Sequence, residues 1–142
     1  MAKLRKHIRI TYFLIVAVSA GFMSCSKRSV IMIEENSTSK QPYLDNEYLL
    51  VFEQFFNDSV EVYCKNEIIF SDFLKTNPKY GATGIEFRLP KHCVEYSDGV
   101  IMKIGKSKYK MEIISGFSLY YIGKNTQKKI TAYYTNTERY YY

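Results

Sequence analysis

Thiol and imidazole side chains, which serve as nucleophiles and as zinc ligands, are rare in this chain. Beyond the first ten residues they are Cys25, Cys64, His92 and Cys93. Adjacent residues of a strand point to opposite faces, so His92 and Cys93 are badly placed to converge as a Cys/His nucleophile. Because no Cys-x-x-Cys, His-rich cluster or EF-hand loop occurs, the sequence predicts no metal site.

Carboxylates are plentiful but scattered along the chain. Hydrolysis of a glycoside would need two of them facing each other across a cleft. The pattern does not say which acids meet; the candidates are Glu53, Asp58, Glu61, Glu67, Asp72, Glu86, Glu95, Asp98, Glu112 and Glu138. We interpret most of them as surface charges, and we rank a carboxylate-dependent enzyme as the least favoured function. The segment Gly81–Gly84 lacks the lysine and the following helix of a phosphate cradle, so no cofactor is predicted.

The positive charge of the chain is concentrated at its N-terminus. The formal net charge is +6 for 142 residues, and the first acid is Glu34. Without residues 1–24 the chain has 16 basic and 14 acidic residues, a net charge of +2. So small a charge gives no broad field to attract nucleic acid, and no nucleic-acid partner is expected.

An uncharged run, Ile10–Ser24, follows the basic N-terminal residues. Its fifteen residues fall short of the roughly 20 that span a membrane. They suit the apolar core of a secretory signal, whose basic flank stays in the cytoplasm. The run ends at Cys25, which has Ser24 before it and Ser26 and Lys27 after it.

This pattern resembles the signal sequence of bacterial lipoproteins, in which the cysteine thiol receives a diacylglycerol and a peptidase cuts just before it. The resemblance covers residues 1–25. It implies a signal peptide at residues 1–24, a lipidated Cys25 and a place in the cell envelope, with the outer membrane expected. The pair Phe22–Met23 departs from the usual pattern and is closer to the looser signal of Bacteroidota-like bacteria. Cleavage after Ala20 without a lipid, or an uncleaved anchor, are the alternatives.

Residues 25–46 are expected to form the lipidated cysteine and a flexible tether. Most of this segment is polar and buries too little apolar surface to become ordered. The apolar patch Val30–Ile33 is the exception. We interpret it as a part of the linker, with a first strand docked on the domain as the alternative.

Cys64 and Cys93 are the candidates for a disulfide bond. An exported domain lies where disulfides persist, and the cysteine count is even once Cys25 is left out. The bond would close a loop of about 30 residues and stabilise the fold by about 3–4 kcal/mol on a chain-entropy model. Two buried thiols are the alternative.

From residue 47 onward, short alternating segments rich in Val, Ile, Tyr and Phe predict strands. The predicted strands are Glu47–Phe56, Val60–Cys64, Glu67–Leu74, Ile85–Leu89, Cys93–Tyr96, Val100–Ile104, Tyr109–Ile114, Ser118–Ile122 and Ile130–Tyr134. We therefore predict an all-β domain at residues 47–142, a small antiparallel β-sandwich or partly open barrel of about 8–9 strands. A continuous mixed sheet with a helix at Ser71–Asn77 is the alternative.

Two local predictions test the all-β interpretation. Asp98-Gly99 between alternating segments favours a tight hairpin. Alternation places Val60, Val62 and Cys64 on one face of their strand. It likewise places Val100, Met102 and Ile104 on one face, with Ile101 and Lys103 opposite.

Tyrosines provide the candidate binding surface. Cross-strand packing accounts for most of the aromatic residues. It does not account for the C-terminal tyrosines or for Tyr80 in the loop 75–84. The candidates for partner binding are Tyr80, Tyr133, Tyr140, Tyr141 and Tyr142. The alternative is a final edge strand with alternate tyrosines packed inside.

These features favour a lipid-anchored envelope domain that binds an unknown protein or glycan partner and contacts the membrane through its N-terminal lipid. A lipoprotein that inhibits an incoming hydrolase is the next hypothesis, and a carboxylate-dependent enzyme is the third.

Overall fold

The computed structural model describes residues 27–38, 41–94 and 99–140. Within them the secondary structure is ten strands and one 3-10 helix, Lys91–Cys93. The strands are β1 (Arg28–Ser29), β2 (Ile31–Glu34), β3 (Glu47–Phe52), β4 (Asn57–Cys64), β5 (Glu67–Lys75), β6 (Ile85–Pro90), β7 (Gly99–Ile104), β8 (Ser107–Glu112), β9 (Leu119–Lys124) and β10 (Ile130–Thr135). The predicted signal peptide, Cys25, Tyr141 and Tyr142 lie outside the described residues.

The strands form two five-stranded sheets, which confirms the all-β sandwich. Sheet A has the order β1-β8-β7-β4-β5, and sheet B has the order β2-β10-β9-β3-β6. Most neighbours are antiparallel, but β1–β8, β2–β10 and β3–β9 are parallel. The sheets are therefore mixed, because these three pairings join segments far apart in sequence rather than hairpins.

The core lies between the two sheets and follows the predicted alternation. Val60 and Val62 of β4 and Met102 of β7 are fully buried on the inner face of sheet A. Leu50 and Phe52 of β3 are equally buried, and they come from sheet B. Burial of each large side chain contributes about 1.5–3 kcal/mol. The predicted inward faces of Val60–Cys64 and Val100–Ile104 are confirmed.

The N-terminal segment is ordered where a tether was predicted, and the tether is corrected for residues 28–34. Here β1 pairs with β8 and β2 pairs with β10, so the chain passes from one sheet to the other at Val30. Val30 is 7% exposed and belongs to the core. The two strands cover open sheet edges, and this pairing of backbone groups offsets the cost of ordering a polar segment.

The hairpin predicted at Asp98-Gly99 lies partly outside the described residues, which resume at Gly99. Strand β7 begins at Gly99 and pairs with β4 and β8, and Cys93 lies in the 3-10 helix rather than in a strand. Residues 95–98 are outside the described part of the chain. A Cβ at Gly99 would lie 2.5 Å from the carbonyl oxygen of Met111. The glycine therefore permits the close approach of β8.

The remaining alternatives are also decided by strand order. Residues 71–75 belong to β5, so the predicted alternative of a helix at Ser71–Asn77 is wrong. Strand β10 lies between β9 and β2, so it is not an edge strand. The residues after Thr135 leave the sheet instead of extending it.

The predicted Cys64–Cys93 disulfide is present, and the Cα atoms of its two cysteines are 4.8 Å apart. It joins the end of β4 in sheet A to the 3-10 helix that follows β6 of sheet B. Both cysteines are 8% exposed. The bond thus connects the two layers of the sandwich.

Candidate binding site

Three connections meet at one end of the sandwich. They are the turn between β3 and β4, the loop 76–84 and the turn between β9 and β10. The hydroxyl of Thr76 donates to the Glu53 carbonyl over 2.8 Å, and the Thr83 amide donates to the Phe52 carbonyl over 3.3 Å. The Lys124 amide donates to the Gln54 carbonyl over 3.1 Å. These bonds hold the turn between β3 and β4 in place between the loop 76–84 and the turn between β9 and β10.

Phe55 is the most unusual residue of this end. Its φ angle is 62°, a left-handed conformation that bulky side chains seldom adopt. Its side chain is 61% exposed, whereas the neighbouring Phe56 turns back into the core and packs edge-on against Phe52. A strained, exposed aromatic residue lowers stability without any gain in packing. Such a feature points to a role outside the fold itself.

Glu53, two residues before Phe55, is a buried acid. The residue is 4% exposed, and its Oε2 accepts a 2.6 Å hydrogen bond from Nη1 of Arg139. Its Oε1 is buried and receives no hydrogen bond from any described residue. Burial raises the pKa of Glu53, and the hydrogen bond and charge of Arg139 oppose that rise. The carboxylate therefore has unused capacity to accept a hydrogen bond.

Arg139 holds the segment after β10 on the outer face of sheet B. Its Nε donates to Glu35 Oε2 over 2.9 Å, and its amide donates to the Tyr121 hydroxyl over 2.7 Å. The guanidinium carbon lies 4.3 Å from the ring centroid of Tyr121 and 5.1 Å from that of Tyr133. Arg139 thus lies between two carboxylates and stacks on two rings.

A cleft of about 450 Å³ runs beside this cluster. Its wall combines two aromatic residues, planar polar side chains and the buried acid. The lining residues are Glu53, Gln54, Phe55, Gly123, Lys124, Asn125, Thr126, Thr131, Tyr133 and Arg139. A neighbouring cavity of about 590 Å³ shares Phe55 and residues 124–126 with it. We call the first cavity the Glu53 cleft.

The predicted tyrosines are not brought together as one surface. Tyr133 lines the Glu53 cleft and is half-buried beneath Arg139. Tyr80 is 52% exposed in the loop 76–84, with Lys79 Nζ 5.1 Å from its ring centroid. Tyr140 is 73% exposed. The partner-binding role of Tyr80, Tyr133 and Tyr140 remains a prediction, and Tyr141 and Tyr142 lie outside the described residues.

Three residues of the site were missed by the sequence reasoning. Phe55 was placed within a predicted strand that in fact ends at Phe52. The polar pair Glu53-Gln54 interrupts the apolar segment and could have indicated a turn there. Glu35 and Arg139 are 104 positions apart, and no local pattern links them.

Cys64, His92 and Cys93 form a second cluster, whose possible ligand atoms lie within 4.8 Å of one another. The two sulfurs are bonded to each other. Cys93 is therefore not a thiolate nucleophile, and neither sulfur is available as a thiolate ligand.

Neither a protein-family model, nor a curated protein, nor a solved structure matches this chain. Within the part of the chain that the structure describes, no helix has the length and apolar character needed to span a membrane.

Proposed function

We propose that this protein is a lipid-anchored envelope module that binds a glycan in the Glu53 cleft. The observation that carries this proposal is the exposed, strained Phe55 beside a buried carboxylate with an unused acceptor atom. An aromatic ring can stack on the apolar face of a sugar. A sugar hydroxyl can donate to Oε1 of Glu53, which otherwise stays buried without a partner at a cost in stability.

The rest of the cleft suits the same ligand class. Gln54 and Asn125 carry amides that can both donate and accept hydrogen bonds. Arg139 is held by Glu53 and Glu35, and Lys124 pairs with Asp58, so both cations of the lining have carboxylate partners and the cleft is not strongly cationic. Hydroxyl groups fit this lining better than a phosphate or a carboxylate does. Loops carried on a rigid sandwich are a common place for binding.

Replacement of Phe55 by glycine separates binding from folding. Glycine adopts a positive φ angle without steric cost, so the free energy of unfolding should stay unchanged or rise by up to about 1 kcal/mol. Loss of the ring should lower glycan affinity by about tenfold. Titration of purified envelope polysaccharides and their oligosaccharides, followed by NMR of backbone amides, measures the affinity. Chemical denaturation measures the stability.

Phe73 provides the matched control, because it is also 61% exposed but lies on β5 of the other sheet. Phe73→Ala should leave glycan affinity unchanged. If no polysaccharide shifts the amides of residues 53–56 and 124–126, the glycan proposal is wrong. If Phe55→Gly destabilises the protein by more than about 1 kcal/mol, the ring serves the fold and the strain argument fails.

The anchor is tested at Cys25. Cys25→Ser should leave an unlipidated precursor, because the thioether needs the sulfur atom. The intact mass of protein extracted from its native membrane measures this: the parent should begin at Cys25 and carry acyl mass. A parent protein that retains residues 1–24, or that begins at Gly21 without lipid, would contradict the anchor.

A further inference from the structure

The outer face of sheet A carries a row of lysines. Val62, Met102 and Met111 point inward and are fully buried, so the residues that alternate with them point away from the core. Across this outer face Lys103 lies opposite Lys108, and Ile101 lies opposite Lys110.

A cavity of about 240 Å³ lies on this face. Four lysines line it, namely Lys27, Lys65, Lys108 and Lys110, and no acid is among its described lining residues. Lys108 Nζ lies 5.1 Å from the ring centroid of Tyr63, another lining residue. We call these four lysines the basic face.

Two acids on the outer face of sheet A, Glu61 and Glu112, reduce part of its positive charge. Glu61 lies on the outer face of β4, where it pairs with Lys103 over 3.5 Å and accepts a hydrogen bond from the Tyr63 hydroxyl. Glu112 alternates with Lys110 on β8 and is exposed. Even with Lys65 left out, the described lysines of this surface, namely Lys27, Lys103, Lys108 and Lys110, outnumber these two acids.

Lys27 places the basic face close to the predicted lipid anchor at Cys25. It follows Cys25 by two residues, and covalent geometry keeps the Cα atoms of the two residues within about 7 Å of each other. Strand β1 begins at Arg28, so no long tether intervenes. A lipid on Cys25 would therefore bring the basic face to within about one Debye length, 8–10 Å, of the lipid headgroups.

We infer that the basic face docks against anionic lipid headgroups, so that sheet A faces the membrane and the Glu53 cleft, on sheet B, is directed away from it. This inference rests on the proposed lipid anchor. Apolar side chains of the same outer face fit this arrangement. Phe73 lies opposite Ser59 and Ile68 lies opposite Tyr63, and they are 61% and 52% exposed. Basic and apolar groups on one surface suit the membrane interface.

The test uses the lipidated protein extracted from its native membrane and bound to vesicles of phosphatidylcholine, with or without phosphatidylglycerol. A membrane-impermeant amine reagent, read out by peptide mass spectrometry, reports the exposure of each lysine. Phosphatidylglycerol should lower labelling of Lys65, Lys108 and Lys110 severalfold. Labelling of the exposed Lys79, Lys128 and Lys129, which lie outside the strands of sheet A, should not change. Equal labelling of both groups in both vesicles would overturn the inference.

A variant with glutamine at the four positions of the basic face adds a second measurement. Each lysine near an anionic surface contributes about fivefold to binding, so loss of all four should make the variant leave phosphatidylglycerol vesicles several hundredfold faster, roughly 600-fold. A matched variant with glutamine at Lys79, Arg88, Lys128 and Lys129, which removes the same net charge away from sheet A, should change this rate less than about twofold. Equal effects of the two variants would mean that only net charge matters, which overturns the inference.

Failure of the anchor and failure of the inference give different results. A protein that floats with phosphatidylcholine vesicles but shows no protection of its lysines keeps the anchor and overturns the docking face. A protein that floats only with phosphatidylglycerol vesicles, in a manner that depends on the four lysines, supports the docking face without the anchor. Equal protection of the lysines by free glycerol phosphate would also overturn docking on a leaflet.

Discussion

Replacement of both Cys64 and Cys93 by alanine should lower the free energy of unfolding by about 3–4 kcal/mol. The bond closes a loop whose ends are 29 positions apart and limits the freedom of the unfolded chain. It also connects the two sheets, so its loss removes a covalent link between layers that otherwise meet through packing. For a domain of this size the midpoint of thermal unfolding should fall by on the order of 15 °C.

Chemical denaturation with and without a thiol reductant checks this expectation. Reductant should destabilise the parent protein by about the same amount as the double replacement, and it should have no effect on the double variant. A parent protein whose unfolding midpoint is indifferent to reductant, under conditions where mass spectrometry shows both thiols free, would contradict the prediction.

Arg139→Ala should lower the free energy of unfolding by about 2–4 kcal/mol. Removal of one partner of a buried ion pair leaves the other charge uncompensated, which costs about 3–5 kcal/mol when both are buried. Glu53 is almost fully buried, but the Arg139 side chain is 25% exposed, so the expected loss is smaller than for a fully buried pair. The stacking of the guanidinium on Tyr121 and Tyr133 is lost as well.

The pH dependence identifies the cause of this loss. Burial already raises the pKa of Glu53, and removal of Arg139 should raise it further. The folded variant then binds a proton at a higher pH than its unfolded chain does, so its stability should rise as the pH falls from about 7 to about 4. The difference between parent and variant should therefore be larger at about pH 7 than at about pH 4.

Arg88 and Glu53 supply the controls for this prediction. The Arg88–Glu47 pair is 3.3 Å long, and its side chains are 58% and 40% exposed, so Arg88→Ala should cost less than about 1 kcal/mol. Glu53→Gln combined with Arg139→Ala should restore part of the stability, because no buried charge remains. A double variant no more stable than Arg139→Ala alone would assign the loss to ring stacking instead.

The Glu53 cleft contains residues that local sequence patterns predict and residues that they do not predict. Tyr133 was singled out because terminal tyrosines exceed the needs of a sheet, and it does line the cleft. Phe55 looked like a strand residue, because a turn in the left-handed region has no signature when the residue is not glycine. The partners of Arg139 come from three separate parts of the chain, and only the folded chain brings them together.

The sequence by itself determined the all-β class, the inward faces of β4 and β7 and the pairing of Cys64 with Cys93. Alternation with a period of two depends only on neighbouring residues, and a disulfide between the only two cysteines beyond Cys25 has no competing partner. Tertiary structure alone decided strand order, the parallel docking of β1 and β2, and the Arg139 cluster. These depend on which distant edges and charges remain uncovered once the sheets have formed, and no short stretch of sequence contains that information.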